Sequence, residues 1–131
     1  MSEKKIISTT SAPAAIGPYS QAVQVGNLVF LSGQIPLDPQ SMEVVTGCIE
    51  AQAIRVLDNM KAVATAAGAQ LEDIVKLTIF LTDLEDFSVV NETMKGYFSE
   101  PYPARSTVEV AALPRGVKIE IEAILALPTA G

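Results

Sequence analysis

The sequence predicts an α+β fold: a mixed β-sheet of about six strands with two helices packed on one face. Three patterns predict it: a hairpin signal over residues 22–31, helical stripes at 49–67 and 87–98, and strand-like runs before, between and after them. Their order is strand, hairpin, helix, strand, helix, strand, strand, which suits a helix layer over one sheet. No linker or internal repeat divides the chain, so residues 1–131 read as a single domain around one core.

Lys4 to Thr9 reads as a short first strand, and Ala12 to Pro18, with two prolines and Gly17, as a loop. Ala22-Val23-Gln24-Val25 and Leu28-Val29-Phe30-Leu31 flank Gly26-Asn27, a connection whose residues tolerate the positive φ of primed hairpin turns. Ser32-Gly33-Gln34-Ile35-Pro36 follows, where Gly33 admits a close backbone approach and Pro36 ends the ladder. Apolar residues at 49, 53, 56, 57, 60, 63, 64 and 67 make a helical stripe closed by Gly68.

Ile74 to Leu81 is strand-like, with Val75, Leu77, Ile79 and Leu81 on one side and Ile74, Lys76, Thr78 and Phe80 on the other. Both sides are apolar enough for a central strand between a helix layer and a subunit interface. Asp86 is placed to N-cap a second helix whose Phe87, Val90, Met94, Tyr97 and Phe98 share a face before Pro101 stops it. In the next strand Arg105, Thr107 and Glu109 share a face, opposite Ser106, Val108 and Val110. Val117 to Leu127 alternates, with Val117, Ile119, Ile121, Ala123, Leu125 and Leu127 inward and Lys118, Glu120 and Glu122 outward. Leu113-Pro114-Arg115-Gly116 lets these last two strands return antiparallel.

A hydrophobic fraction of 49% and a mean hydropathy of +0.33 are high for a small domain, so part of the apolar surface is expected to be buried between subunits in a closed ring. No uninterrupted apolar run approaches the roughly 18 residues of a membrane span, and residues 1–20 lack a signal-peptide layout, so a cytoplasmic protein is expected. Nine Lys and Arg against fifteen Asp and Glu give a net charge of −6, which disfavours a nucleic-acid partner. There is no His and one Cys, which removes the usual general base, the commonest metal ligand, a thiolate metal cluster and an internal disulfide.

Chemistry therefore falls to carboxylates, hydroxyls, Lys, Arg, Cys48 or backbone groups. Arg105 is the most informative: a guanidinium keeps its charge and forks onto carboxylates, so on a cavity wall it predicts a small anionic ligand. Glu120 sits on the polar side of its strand. Register is open at this stage, so the pair reads equally as a solvated cross-strand ion pair. Tyr19, Ser32 and Asn91 are candidate ligand contacts, although a core-edge phenol, a strand-end hydroxyl bonded to local backbone and a surface amide describe them as well. Cys48 opens the first helix without a His to activate it, and reads as an incidental thiol.

Four segments together resemble the RidA/YjgF family: Ala14-Ala15-Ile16-Gly17-Pro18-Tyr19-Ser20-Gln21-Ala22, Leu31-Ser32-Gly33-Gln34-Ile35-Pro36, Pro103-Ala104-Arg105-Ser106, and Val117-Lys118-Ile119-Glu120-Ile121-Glu122-Ala123. The resemblance implies a chorismate-mutase-like subunit, a homotrimer with sites between neighbouring subunits, and hydrolysis of reactive 2-imino acids or enamines, such as 2-iminobutanoate and 2-iminopropanoate, to 2-oxo acids and ammonia. It implies no cofactor and no metal, and a functional link to the pyridoxal-phosphate enzymes that release such imines. By the same resemblance Arg105 clamps the substrate carboxylate and marks the deaminase-competent branch. Glu120 positions the water and stays ionised near Arg105, while Tyr19, Ser32, Gly33, Phe87, Asn91 and the backbone of Thr107 line the pocket. The competing reading is a non-catalytic trimer that binds 2-oxo acids. Ribonuclease, translation-inhibiting and chaperone-like roles, also assigned within the family, fit the charge and the lack of His poorly. Two departures stand out: Thr107 replaces a Cys common in the family, and the connection Ser99-Glu100-Pro101-Tyr102 is shorter than in bacterial members.

Overall fold

The computed structural model describes residues 3–128. The two ends of the expected 1–131 domain, residues 1–2 and 129–131, lie outside the described residues. Six strands form one mixed sheet in the order β1-β2-β3-β6-β4-β5. They are β1 (Lys5–Ile7), β2 (Ala22–Val25), β3 (Leu28–Gln34), β4 (Ile74–Leu81), β5 (Ala104–Glu109) and β6 (Ile119–Ala126). Helices α1 (Ile49–Ala66) and α2 (Phe87–Met94) complete the α+β layer.

The hairpin forms as its sequence requires. Val25 pairs with Leu28, and Gly26 takes the positive φ of 62° while Asn27 does not, the φ order of a II′ connection. At the far end of α1, Gly68 and Ala69 donate to the carbonyls of Thr65 at 2.9 Å and Ala64 at 3.0 Å, so the left-handed Gly68 (φ 84°) completes a Schellman cap.

α1 lays Val56, Leu57, Met60 and Val63 on Leu77, Ile79, Ile119, Ile121 and Leu125 in the main core cluster. Full burial of each such side chain contributes about 1.5–3 kcal/mol. Two expected details are corrected. A register shift between Ile74 and Lys76 turns Ile74 inward and leaves Val75 exposed, because a bulge reverses the alternation beyond it. The second helix is capped earlier than Asp86: Asp83 accepts the Glu85 N–H at 2.9 Å, and a 3₁₀ turn, Leu84–Asp86, runs straight into α2. Tyr97 and Phe98 lie beyond the last turn of α2. The Tyr97 hydroxyl donates to Asp58 Oδ1 at 2.8 Å, and burial together with that bond pushes its pKa up to about 12.

The strands of Arg105 and Glu120 are not neighbours. β5 pairs parallel with β4, whereas β6 lies antiparallel between β3 and β4, so the expected pairing of the last two strands is replaced by β4 between them. The sheet face away from the helices carries three cross-strand rows. One is Ile6, Val23, Phe30, Ile124 and Lys76; the next is Glu122, Thr78 and Ser106; the third is Glu120, Phe80 and Val108. Ile6, Phe30 and Val108 remain 55%, 44% and 41% exposed, which is the uncovered apolar surface that the composition anticipates. No helix among the described residues is long and apolar enough to cross a membrane.

Candidate functional site

The Glu120 side of the site is built where β3 loses register with β6, between Leu31 and Gln34. There Gly33 backs directly onto the Glu120 side chain. A Cβ added at 33 would overlap Glu120 Oε2 and lie 2.9 Å from Cδ and 3.1 Å from Cγ, so close approach requires the glycine. Tyr19, Ser32, Gly33 and Glu120 share the wall of a cavity of about 520 Å³ with Pro114 and Arg115. The Ser32 hydroxyl donates to the Ser20 carbonyl at 2.5 Å, so it also fastens the Tyr19 loop to β3. Burial first, then the neighbouring Glu122 carboxylate, raises the Glu120 pKa above its usual value. Within one chain Arg105 is not among the groups that act on this carboxyl.

Three buried amides that sequence reasoning missed hold the rim of this cavity. Gln21 donates to the carbonyl of Pro13 at 2.7 Å and accepts the Thr9 N–H at 2.7 Å, which fixes the loop before Tyr19. From α1, Gln52 accepts the Lys118 N–H at 2.9 Å and donates to the Val45 carbonyl at 3.0 Å, while Asn59 donates to the Leu37 carbonyl at 3.0 Å. The available signal was the seven-residue spacing of Gln52 and Asn59 beside the apolar stripe: two amides on the buried side of a helix need partners.

The Arg105 side is built from β5 and α2. Arg105 lies opposite Leu77 and Thr107 opposite Ile79, so both point to the helix layer, as Leu77 and Ile79 do. One guanidinium nitrogen of Arg105 donates to Asn91 Oδ1 at 2.7 Å, and the group lies 5.0 Å from the Phe87 ring centroid, a cation–π contact. Remaining N–H groups stay free to meet an anion, since a guanidinium carries five donors. The Thr107 hydroxyl is buried without a hydrogen-bond partner among the described residues.

The eight sequence-derived site residues thus divide into two groups. Tyr19, Ser32 and Gly33 gather with Glu120, and Phe87, Asn91 and Thr107 gather with Arg105. One chain does not bring the groups together. Arg105 faces the helices, whereas Glu120 lies on the opposite face beside Phe80. Two strand spacings and the three-residue offset from Leu77 to Phe80 along β4 separate their backbones by roughly 14 Å. Among the described residues the ion pair present is Lys95–Glu92 at 2.8 Å, so the alternative of a cross-strand Arg105–Glu120 bridge does not occur within the chain. Cys48 is exposed and unpaired at the start of α1, outside both groups.

Comparison with known proteins agrees with this architecture. The family model described as endoribonuclease L-PSP matches residues 9–127. A protein of the mite Dermatophagoides farinae, named 2-iminobutanoate/2-iminopropanoate deaminase, is 53% identical over 127 residues, covering 97% of this chain and 99% of that protein. The Escherichia coli protein of the same name is 54% identical over 123 residues, covering 92% and 95%. The crystal structure of RidA from an Antarctic Psychrobacter superposes with a TM-score of 0.91 at 54% identity, covering 94% of this chain and 99% of that one. With nearly its whole length matched in sequence and in fold, the chain belongs to the RidA/YjgF/RutC family.

Proposed function

We propose that this protein hydrolyses reactive 2-imino acids and their enamine tautomers, such as 2-iminobutanoate and 2-iminopropanoate, to 2-oxo acids and ammonia. The site is completed between neighbouring subunits of a homotrimer. The observation that carries the reading is the split itself: a carboxylate clamp at Arg105 and a raised carboxyl at Glu120 on opposite sheet faces. Each group is half of a site, and a ring of copies that buries the exposed face of the sheet sets one chain's half against the next chain's other half. The names of the mite and E. coli relatives support the reaction class.

The Arg105 fork engages the substrate carboxylate through paired charge-assisted hydrogen bonds, oriented by Asn91 and the Phe87 ring. The protonated imine carbon is already electrophilic. Glu120 accepts a proton from water as its oxygen bonds to that carbon, giving a tetrahedral carbinolamine. The nitrogen then takes that proton from Glu120, the C–N bond breaks as ammonia leaves, and the hydroxyl returns its proton to the Glu120 carboxylate as its oxygen closes to the 2-oxo group. A carboxyl with a raised pKa is the stronger base once ionised, which suits that step. Tyr19, Ser32 and the backbone at Gly33 and Thr107 line the reacting centre. The chemistry calls for no cofactor. Pyridoxal-phosphate enzymes that release such imines are the functional partners, and the exposed single thiol of Cys48 suits the reducing cytoplasm.

The test generates imines with an amino-acid oxidase in the presence of semicarbazide. The protein should divert imine to 2-oxo acid and lower semicarbazone yield, and Arg105→Ala and Glu120→Gln should remove most of the effect. Tight 2-oxobutanoate binding without any diversion would instead establish a binding protein. The endoribonuclease description of the family model receives no support from the composition, which has no His and a net charge of −6.

A further inference from the structure

Behind Arg105 lies a cavity of about 360 Å³ that enters the core between α2, the 95–103 connection and β4. Asn91 and Arg105 stand at its mouth, and Leu77, Met94 and Phe98 form its floor. Leu77 is fully buried, and Met94 and Phe98 are nearly so. Tyr102 forms an outer wall and is 57% exposed. The floor is fixed before any ligand arrives: the Phe98 N–H donates to the Met94 carbonyl at 3.0 Å, and Tyr97 ties the same turn to Asp58 on α1.

The volume is far more than a two-carbon side chain fills. It corresponds to roughly a dozen waters at about 30 Å³ each, and an ethyl group replaces only about two. A fixed apolar pocket with a cationic fork at its mouth fits a carboxylate that carries a longer apolar tail. Lys95 at the rim pairs on the surface with Glu92 at 2.8 Å, and the cavity floor itself is apolar.

Resting on the imine-hydrolase reading, we infer that this cavity is the side-chain subsite. Met94, Phe98 and Tyr102 set the substrate class there, favouring imines with branched aliphatic or aromatic side chains over 2-iminopropanoate. The substrate carboxylate sits on Arg105 at the mouth, its C2 turns outward to the water held by Glu120 of the neighbouring subunit, and its side chain enters the pocket. The short 99–102 connection acts by placing Tyr102 as the outer wall.

The experiment measures kcat/KM for imines made in situ from alanine, leucine and phenylalanine, using wild-type protein, Met94→Trp, which fills the floor, and Tyr102→Ala, which opens the wall. In the wild type the leucine-derived imine should be preferred over 2-iminopropanoate by about tenfold or more, the range expected for added apolar carbons in a matched pocket. Met94→Trp should collapse that ratio by about tenfold. Tyr102→Ala, at an exposed position that folding tolerates, should reduce the phenylalanine-to-alanine ratio severalfold. Ratios unchanged within about twofold in both variants, or a change in Met94→Trp alone with loss of its cooperative melt, overturn the subsite. A wild type that hydrolyses none of the three imines overturns the underlying activity instead.

Discussion

Gly33→Ala tests how tightly the Glu120 carboxylate is held. The glycine's φ is not left-handed, so alanine brings no backbone strain and its effect arises from contact alone. The new Cβ would overlap Oε2 and stand 2.9 Å from Cδ, against the roughly 3.5–4.0 Å of a relaxed carbon contact. The carboxylate must therefore retreat by about an ångström, because the end of a Glu side chain yields before two paired strands do. Moving off its rotamer costs about 0.5–1.5 kcal/mol, which for a domain of this size lowers Tm by roughly 2–7 °C. An ångström at the group that positions water costs on the order of a hundredfold in rate. The assay is imine diversion with 2-iminobutanoate, alongside thermal melting. kcat should fall by about a hundredfold with KM nearly unchanged, because in the proposed trimer another chain's Arg105 holds the carboxylate. Glu120→Gln and the Gly33→Ala/Glu120→Gln double variant should be equally inactive, since the glycine acts only through the glutamate. Full kcat in Gly33→Ala with the expected melting loss would refute the reasoning and remove Glu120 from the proposed reaction.

Arg105→Ala should lose the charge-assisted bonds to the substrate carboxylate, at about 1.5–3 kcal/mol per such interaction, and so lower kcat/KM by roughly ten- to a hundredfold or more. Melting should hardly change, because the side chain is exposed; equal kcat/KM for both proteins would discard the clamp. The raised Glu120 pKa means that the folded state binds this proton more tightly than the unfolded chain does, so stability from this group is greatest below its unfolded value. It is lost as pH rises through the folded value. Glu120→Gln should accordingly melt higher than wild type at neutral pH, with the gain vanishing in acid, and a gain that persists at low pH would contradict the assignment. The acid limb of kcat/KM in the wild type should lie above the ordinary carboxylate value for the same reason. Thr107→Val removes a buried hydroxyl without a partner and should raise Tm by a few degrees with activity retained; lost activity would assign the hydroxyl itself to substrate.

Much of this protein is legible in its sequence because local rules are satisfied locally. Gly26-Asn27 between two short apolar runs specifies a hairpin, the 49–67 stripe specifies a helix that ends at Gly68, and alternation over 117–127 specifies which residues of β6 face the core. Identity is legible for a different reason, since four separated motifs carry the family likeness across nearly the whole chain. The individual departures also have local causes that residue type does not announce. A bulge at Val75 reversed a face, and Asp83 took the cap assigned to Asp86 because a 3₁₀ turn preceded the helix.

Strand order is another matter, because which strands become neighbours depends on how the whole chain packs. Alternation placed Arg105 and Glu120 each on the polar side of its own strand and so made them look like a pair. Tertiary structure inserted β4 between β5 and β6 and set the two polar sides on opposite faces of the sheet. The buried amides Gln21, Gln52 and Asn59, which find backbone partners 7 to 66 residues away, and the approach of Gly33 to Glu120 belong to the same class of facts. Sequence alone determined the elements, the family and the residue types of the site. Only the fold decided that one chain presents Arg105 and Glu120 on different faces, because side-chain direction is a local property and strand adjacency is not.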